Sequence, residues 1–241
     1  MILSNKHIVL THQGSIDSFQ ILKDLGATMH HFPMIDIVSN SSVKPFNLSD
    51  FDYYIFTSKN GVKSFLNLDF VNGKIINAIC LGERTKDALL ENGIKPAFFS
   101  NESYADNLIN ELVNNQIVRN KKILLVLGNL ADNRIEEGLS PLCNVSRINI
   151  YQTNLETSKN KAITNLLKNR NTISIFTSPS SFQAFSNLYE SEETTLVSIG
   201  KTTSKYIEFS GFTSKIIASE QTYDGISKAI INYYENTNIS L

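Results

Sequence analysis

The sequence lacks the features that define several large classes of protein. No hydrophobic run approaches the roughly 20 residues that a membrane-spanning helix needs. The formal net charge is −1, from 22 basic and 23 acidic residues, so no overall positive field attracts nucleic acid. The two cysteines, Cys80 and Cys143, form no disulfide or metal pattern, which favours a reducing compartment. We therefore expect a cytoplasmic monomer that binds neither a membrane nor nucleic acid.

The common catalytic fingerprints are also missing. No G-x-G-x-x-G follows a strand, no G-x-x-x-x-G-K-[ST] is present, and no G-x-S-x-G supports a serine hydrolase. All four histidines lie within the first 31 residues, and none has metal-ligand spacing with cysteines or carboxylates. We expect no metal site, and we interpret the histidines as surface or strand-end residues.

What the sequence does contain is one stretch used twice. Residues 56–65 read FTSKNGVKSF, and residues 176–185 read FTSPSSFQAF. Each follows a short apolar run typical of a buried strand, and each opens an apolar pattern with helical spacing. A strand that ends at Thr-Ser and turns into a helix places hydroxyls and free backbone N–H groups at the carboxyl edge of a parallel sheet. That edge is where α/β folds place ligands, and a helix N-terminus suits an anion.

The repetition extends beyond this stretch. Gly82 matches Gly200 and Thr85 matches Thr203 at one common offset, and Ser103-Tyr104 matches Thr222-Tyr223 one residue further on. An α/β unit of roughly half the chain therefore occurs twice.

The order of predicted strands indicates how the two units are assembled. Five strands lie in 53–149, three in 155–218 and two in 7–32, and helices alternate with them. We predict an α/β protein with two five-stranded parallel-sheet domains and flanking helices, joined by a two-stranded antiparallel linker. One domain is contiguous and the other is discontinuous, and the end of the chain from Asn236 is expected to fray. The boundaries are 40–147 for the first domain, 1–34 and 155–241 for the second, and 35–39 and 148–154 for the linker strands.

Two interpretations of the repeated polar residues stay open at this point. Ser58, Asn60, Ser178 and Ser180 are good N-caps wherever a helix begins, because the first N–H groups of any helix need partners. The same residues are equally well placed to contact a ligand.

The motifs taken together resemble the uroporphyrinogen-III synthase family. They cover almost the whole chain in order: FTSKNGV, LGERTKDALLENG, SYADNL, ILLVLGN followed by Arg134, INIYQT, IFTSPSSFQAF, SIGKTTSKYIEFSG and TYDGISKAI. The resemblance implies two α/β domains with an active site in the cleft between them. It also implies a lyase that uses no cofactor. In the family reaction, hydroxymethylbilane loses its terminal hydroxyl to give an azafulvene. The far ring, ring D, then attacks at its substituted carbon, passes through a spiro intermediate and recloses inverted, giving uroporphyrinogen III for haem biosynthesis.

The resemblance also implies roles for particular residues. Tyr151 in Tyr151-Gln152-Thr153 matches the family's linker tyrosine, so it is the expected catalytic residue, with a phenol that can donate to the leaving hydroxyl. The expected substrate-binding residues are the two Gly-x-x-Thr pairs and the polar residues after the repeated strands: Ser58, Asn60, Gly82, Thr85, Ser178, Gly200 and Thr203. The two glycines allow close approach of the backbone to the substrate.

One departure from the family pattern concerns the first strand. It often ends in Thr-Arg-Pro in this family, whereas here it ends in Thr11-His12-Gln13, so an arginine that could pair a substrate carboxylate is missing. The competing class is a non-catalytic two-domain α/β module that binds a small anion in the cleft. Tyr151 and the ordered match along the whole chain favour the enzyme.

Overall fold

Strands and helices alternate along the chain in the computed structural model. The structure describes residues 1–74, 76–101, 104–190 and 194–239, without the side chains of 238 and 239, so Ser103 of the repeat lies outside the described residues. Short 3₁₀ turns occupy Ile16–Phe19 and Leu48–Asp50. The regular elements in chain order are β1 (His7–Leu10), α1 (Gln20–Asp24), β2 (Thr28–His31), β3 (Ile35–Ser39), β4 (Tyr53–Phe56), α2 (Lys59–Leu66), β5 (Ala78–Leu81), α3 (Glu83–Glu91), β6 (Phe98–Ser100), α4 (Ala105–Asn114), β7 (Lys122–Gly128), α5 (Arg134–Leu139), β8 (Asn144–Leu155), α6 (Lys161–Leu167), β9 (Thr172–Phe176), α7 (Pro179–Leu188), β10 (Thr195–Ser198), α8 (Lys201–Phe209), β11 (Ile216–Ile217) and α9 (Tyr223–Ile239).

The chain divides into two compact units. Unit 1 comprises Met1–Asp36 and Asn154–Leu241, and unit 2 comprises Ile37–Thr153. Each unit has its own sheet order and its own apolar core, so each is described separately.

Unit 1 contains a five-stranded sheet in the order β11-β10-β9-β1-β2. All four neighbouring pairs are parallel, and β1 pairs with β9 from His7↔Thr172 to Leu10↔Ile175. Apolar residues from both ends of the chain share one core, which includes Leu10, Phe19 and Ile175. The N-terminal strand therefore lies in the middle of a sheet whose other members come mainly from the end of the chain.

Unit 2 contributes to a six-stranded sheet in the order β3-β8-β7-β4-β5-β6. The pairs from β8 to β6 are parallel. One apolar cluster on the sheet includes Phe56, Phe65 and Ile150, and another includes Ile55 and Leu125. These two clusters cover opposite faces, because Ile55 and Phe56 are consecutive residues of one strand.

The predicted α/β class is confirmed, with one change in the strand count. Five strands were predicted for this second sheet, and the sixth is the segment 35–39 that the sequence assigned to the linker. Asn40 N–H donates to Ile150 O at 2.8 Å just beyond the end of β3. Backbone N–H and C=O groups of an extended segment need partners, and the edge of β8 supplies them.

The expected fraying from Asn236 is wrong as far as Ile239, because α9 continues to that residue, and residues 240 and 241 lie outside the described residues. Tyr234 is buried in the unit 1 core, and the ammonium of Lys6 lies 4.7 Å from the centre of its ring. These contacts hold the helix against the unit at Tyr234. None of the helices in the described part of the chain combines the length and hydrophobicity that a membrane crossing requires.

Candidate active site

Ser58 begins α2 at the carboxyl end of β4. Its backbone is extended (φ −151°, ψ 149°), and its Oγ accepts a hydrogen bond from the N–H of Gly61 at 3.0 Å. The residue is therefore an N-cap, as one of the two open interpretations requires. The same oxygen also has a second partner.

That partner is Tyr151, whose phenol oxygen lies 3.0 Å from Ser58 Oγ. The half-buried ring lies directly over Gly128 at the end of β7, where a Cβ atom would approach the ring Cζ to 2.4 Å. The structure therefore brings together two predicted site residues that are 93 positions apart in the sequence. They come from different strands and meet at the carboxyl edge of the unit 2 sheet.

Burial raises the pKa of the Tyr151 phenol, and the hydrogen bond with Ser58 lowers it by a smaller amount. The net effect is upward, so the phenol keeps its proton at neutral pH. When the Ser58 hydroxyl donates to the phenol oxygen, the hydrogen of Tyr151 is left for another acceptor. The pair can therefore offer a neutral proton donor.

A polar cavity of about 300 Å³ lies beside Tyr151 within unit 2. No charged side chain is among its lining residues, which carry carboxamide, hydroxyl and backbone groups. They are Val38, Ser39, Asn40, Ser41, Asn129, Asn149, Tyr151 and Gln152. Such a lining can hydrogen-bond a polar or anionic group without the cost of burying a second charge.

A second cavity, of about 400 Å³, lies in unit 1 and contains no predicted site residue. Two carboxylates, Asp36 and Glu156, are among its lining residues. The backbone N–H groups of Ser158 and, secondly, Thr157 hold the pKa of Glu156 below its ordinary value, so it is charged at neutral pH. Repulsion makes this cavity unsuitable for a polyanion.

The second copy of the repeated stretch forms a similar helix start in unit 1. Ser178 Oγ accepts from Ser181 N–H at 3.2 Å and lies 3.1 Å from Ser180 Oγ. The cap of α2 is thus repeated at α7, but its second partner is a serine rather than a tyrosine. This difference distinguishes the two sheet edges chemically.

The two predicted glycines differ in their backbone geometry. Gly82 has φ +80°, a left-handed conformation that disfavours a side chain, and its N–H donates to Ser100 O at 2.9 Å. Gly200 is extended (φ 171°), but a Cβ atom there would lie 2.9 Å from Gln221 Cγ. Gly82 is favoured at its position by the backbone conformation. Gly200 is favoured because a neighbouring side chain leaves no room for a Cβ atom.

The remaining predicted binding residues lie on helices. Thr85 and Thr203 are only 3% and 2% exposed, on the buried sides of α3 and α8. Asn60 is half-buried in the first turn of α2. Within unit 2, no hydrogen bond among the described residues joins Thr85 to the hydroxyl pair of Ser58 and Tyr151.

One cationic residue beside Ser58, Lys59, was not predicted. Lys59 is half-buried, and its pKa is lowered first by burial and then by the positive charge of Arg84. No salt bridge of Lys59 occurs among the described residues. A cation in this setting suits a substrate carboxylate. Its position beside Ser58 in FTSKNGV was the available signal, but only the hydroxyl, amide and glycine residues of the repeated motifs were taken as binding candidates.

The four histidines all lie in unit 1. His7 Nδ1 and His30 Nε2 are 3.1 Å apart, and His31 Nε2 lies 2.8 Å from the carbonyl oxygen of His12. His12 is only 3% exposed, and its ring centre lies 4.9 Å from that of Tyr223. It therefore packs among aromatic rings. In the part of the chain that the structure covers, no three His, Cys, Asp or Glu side chains converge as metal ligands.

The fold places the chain in a class of α/β proteins with solved members. The uroporphyrinogen-III synthetase from Helicobacter pylori gives a TM-score of 0.67 at 22% identity, covering 95% of this chain and 99% of that one. A mutant uroporphyrinogen III synthase from the extremely thermophilic bacterium Thermus thermophilus gives 0.66 at 12% identity, covering 96% of this chain and 99% of that one. A wild-type form of the same enzyme gives 0.53 at 13%, with 97% and 99% covered. A comparison with curated protein sequences gives no match.

The family is shown by the sequence itself. The family model described as uroporphyrinogen-III synthase HemD matches residues 19–228, which is most of the chain. The chain belongs to the uroporphyrinogen-III synthase family. Its activity is that of a cyclising lyase of tetrapyrrole synthesis, and its substrate is a linear tetrapyrrole. The alternative of a non-catalytic anion-binding module is not favoured.

Proposed function

We propose that Tyr151 is the catalytic residue of this ring closure and that its phenol donates to the hydroxyl that leaves hydroxymethylbilane. The observation that carries the proposal is the 3.0 Å contact between its oxygen and Ser58 Oγ, beside a polar cavity. The raised pKa of the phenol keeps the proton in place at neutral pH, as a donor requires.

The first chemical step is a dehydration. The C–O bond breaks, and its electron pair leaves with the oxygen, which takes up a proton and departs as water. The pyrrole nitrogen supplies the electrons and gives up its own proton, so the product is a neutral azafulvene. A hydrogen bond from Tyr151 stabilises the charge that develops on the departing oxygen. The protein then holds the chain in the fold that lets the far ring attack, pass through the spiro intermediate and reclose inverted.

We propose that the substrate carboxylates are bound by helix N-termini and their capping residues. Helix starts offer free N–H groups and a partial positive charge. The proposed residues are Ser58, Asn60, Gly82 and Thr85 in unit 2 and Ser178, Gly200 and Thr203 in unit 1.

Thr203→Val tests one of these binding residues. If its hydroxyl contacts the substrate, we expect KM to rise by about tenfold, because hydrogen bonds to charged groups are worth about 1.5–3 kcal/mol. The turnover number should change less. An unchanged KM in a folded variant would assign this buried threonine to packing alone.

We propose that the domains are 40–147 and the pair 1–34 with 155–241, and that residues 35–39 and 148–154 are two antiparallel linker strands. Two hydrogen bonds support the linker: Asn40 N–H to Ile150 O at 2.8 Å and Glu156 N–H to Met34 O at 2.9 Å. Along these bonds the residue number rises on one strand as it falls on the other, which is the antiparallel relation. Paired core substitutions, described in the Discussion, test this division.

We also propose a cytoplasmic monomer that binds neither nucleic acid nor membranes. The balanced charge and the two free cysteines support this assignment. Light scattering on the purified protein should give a mass near 27.0 kDa. A mass of about twice that value at working concentration would contradict the monomer.

The activity is tested by incubating the protein with freshly generated hydroxymethylbilane, oxidising the products and separating the isomers. We expect the inverted isomer in excess, whereas closure without protein gives the non-inverted one. A product mixture identical to that of the blank would contradict the function.

A further inference from the structure

A β-bulge determines which face of the sheet Tyr151 occupies. The register of β7 and β8 runs from Leu127↔Asn149 directly to Gly128↔Tyr151, so Ile150 is the extra residue. Consecutive residues of a regular strand point to opposite faces. Ile150 and Tyr151 nevertheless pack in the same apolar cluster, which also includes residues of α2. Without the bulge, the phenol would face away from Ser58.

Asn129 holds the backbone on both sides of Gln152. Its backbone N–H donates to Tyr151 O at 3.2 Å, and its side-chain Oδ1 accepts from Thr153 N–H at 2.7 Å. Its Nδ2 also donates to Thr153 O at 3.4 Å. β7 ends at Gly128, so these bonds from Asn129 take over where the regular ladder stops.

Gly128 provides the space for the ring. A Cβ atom on this residue would lie 2.4, 2.6 and 2.8 Å from Cζ, Cε2 and the phenol oxygen of Tyr151. Those distances are far below van der Waals contact, so any side chain at 128 displaces the ring. The Tyr151 ring packs directly against Gly128, and Asn129 holds the backbone next to Tyr151.

We propose that Asn129 is a positioning residue for Tyr151. Its side chain hydrogen-bonds the backbone of Thr153 just after the bulge, and this holds the phenol of Tyr151 towards Ser58. The absence of a side chain at Gly128 leaves room for the ring in that position. This inference rests on the proposed catalytic role of Tyr151. Asn129 also lines the polar cavity, but its Oδ1 and Nδ2 are both bonded to Thr153, so we expect it to act through Tyr151 rather than on the substrate. Its removal should then reproduce the loss of the phenol and add little once the phenol is gone.

The test is a double-mutant cycle with Asn129→Ala and Tyr151→Phe, measured by turnover and KM. We expect Asn129→Ala to lower turnover about tenfold to a hundredfold with KM within about twofold, like Tyr151→Phe itself. In the Tyr151→Phe background the same substitution should cost less than about twofold. Equal factors in both backgrounds would overturn the proposal, because Asn129 would then act independently of the phenol.

Asn77→Ala is the matched control. Asn77 Nδ2 donates to the backbone oxygen of Asp52 at 3.1 Å, near the amino ends of β4 and β5 in the same unit. The Asn77→Ala substitution removes a hydrogen bond from an asparagine side chain to the backbone without changing any contact of Tyr151. The turnover of this variant should stay within about twofold of the unmodified protein.

A spectroscopic measurement separates this proposal from the catalytic role of Tyr151. With ¹³Cζ-labelled tyrosine, the Tyr151 resonance is assigned by its loss in Tyr151→Phe. Asn129→Ala should shift or broaden that resonance, and Asn77→Ala should not. An unmoved resonance overturns the positioning role, whether or not Tyr151 proves catalytic. If Asn129→Ala fails to fold, Asn129→Ser is used in its place, because it also lacks the Oδ1 and Nδ2 atoms that bond Thr153, and it should shift the same resonance and lower turnover in the same way.

Discussion

Removing the phenol oxygen of Tyr151 tests whether this residue has a catalytic role or only a packing role. Tyr151→Phe keeps the ring over Gly128 and leaves Ser58 to cap α2, so the melting temperature should change little. General acid assistance is typically worth about 10²–10⁴ in rate, and the substrate hydroxyl already leaves readily. We therefore expect turnover to fall only about tenfold to a hundredfold with KM little changed. Steady-state kinetics with a thermal melt measures this, and a folded variant with full turnover would reduce Tyr151 to a packing residue.

His30 gives unit 1 a dependence on pH. Burial, and secondarily the charge of His7, lower its pKa below the ordinary 6.5, so the unfolded chain binds a proton more readily than the folded one. The contribution of His30 to the free energy of unfolding is therefore fully present above pH 6.5, and it is lost as the pH falls from there towards the lowered pKa. We expect a lower melting temperature at about pH 5.5 than at about pH 7.5, and a smaller difference in His30→Gln. Equal pH dependence in the two proteins would exclude His30 as its source.

Helices α2 and α7 both begin with a serine N-cap, but only the cap of α2 contacts Tyr151. Comparing the two helices therefore separates the effect of capping from the effect of the contact with the phenol. Ser58→Ala and Ser178→Ala each remove an N-cap, from α2 and α7 respectively, and each should cost about 1 kcal/mol of stability. Only Ser58→Ala also removes the partner of Tyr151, whose pKa should rise further, because the lost hydrogen bond lowers it. Chemical denaturation and the tyrosine resonance described above measure the two effects. A shift of the Tyr151 resonance in Ser178→Ala would contradict the assignment.

The sequence predicted the order of elements well because strand-to-helix junctions carry local signals. Ser58 and Ser178 cap their helices as the Thr-Ser pattern indicates, since capping depends on the residue and its next three neighbours. The bulge at Ile150 was not predictable. Ile148 and Ile150 alternate with polar neighbours as in a regular strand, and only the end of β7 and the clamp from Asn129 turn Tyr151 to the face of Ser58. The pairing of β3 with β8 was not predictable for the same reason. It depends on the free edge of β8, and nothing in the sequence of β3 itself indicates that edge.

Two equivalent isoleucines test the division of the molecule. Ile55 and Ile175 directly precede the two copies of the repeated stretch, and both are fully buried, one in a core of unit 2 and the other in the core of unit 1. Each substitution by Ala should cost about 2–5 kcal/mol. With hydrogen exchange, we expect Ile175→Ala to lose protection mainly in 7–34 and 155–234, and Ile55→Ala mainly in 40–147. Equal loss throughout the chain in both variants would contradict two separate cores.

The central position of β1 in unit 1 has a consequence for how the protein is made. The bond from Lys6 Nζ to Asn171 Oδ1 joins residues 165 positions apart, and the strands beside them, β1 and β9, are neighbours in the sheet. At a synthesis rate of about 5–20 residues per second, β1 leaves the ribosome roughly ten to thirty seconds before β9. During that interval all of unit 2 is synthesised, while β1 has only β2 beside it. β1 is thus made long before the strand that encloses it, and we expect its unpaired edge to be a part of the nascent chain that chaperones bind.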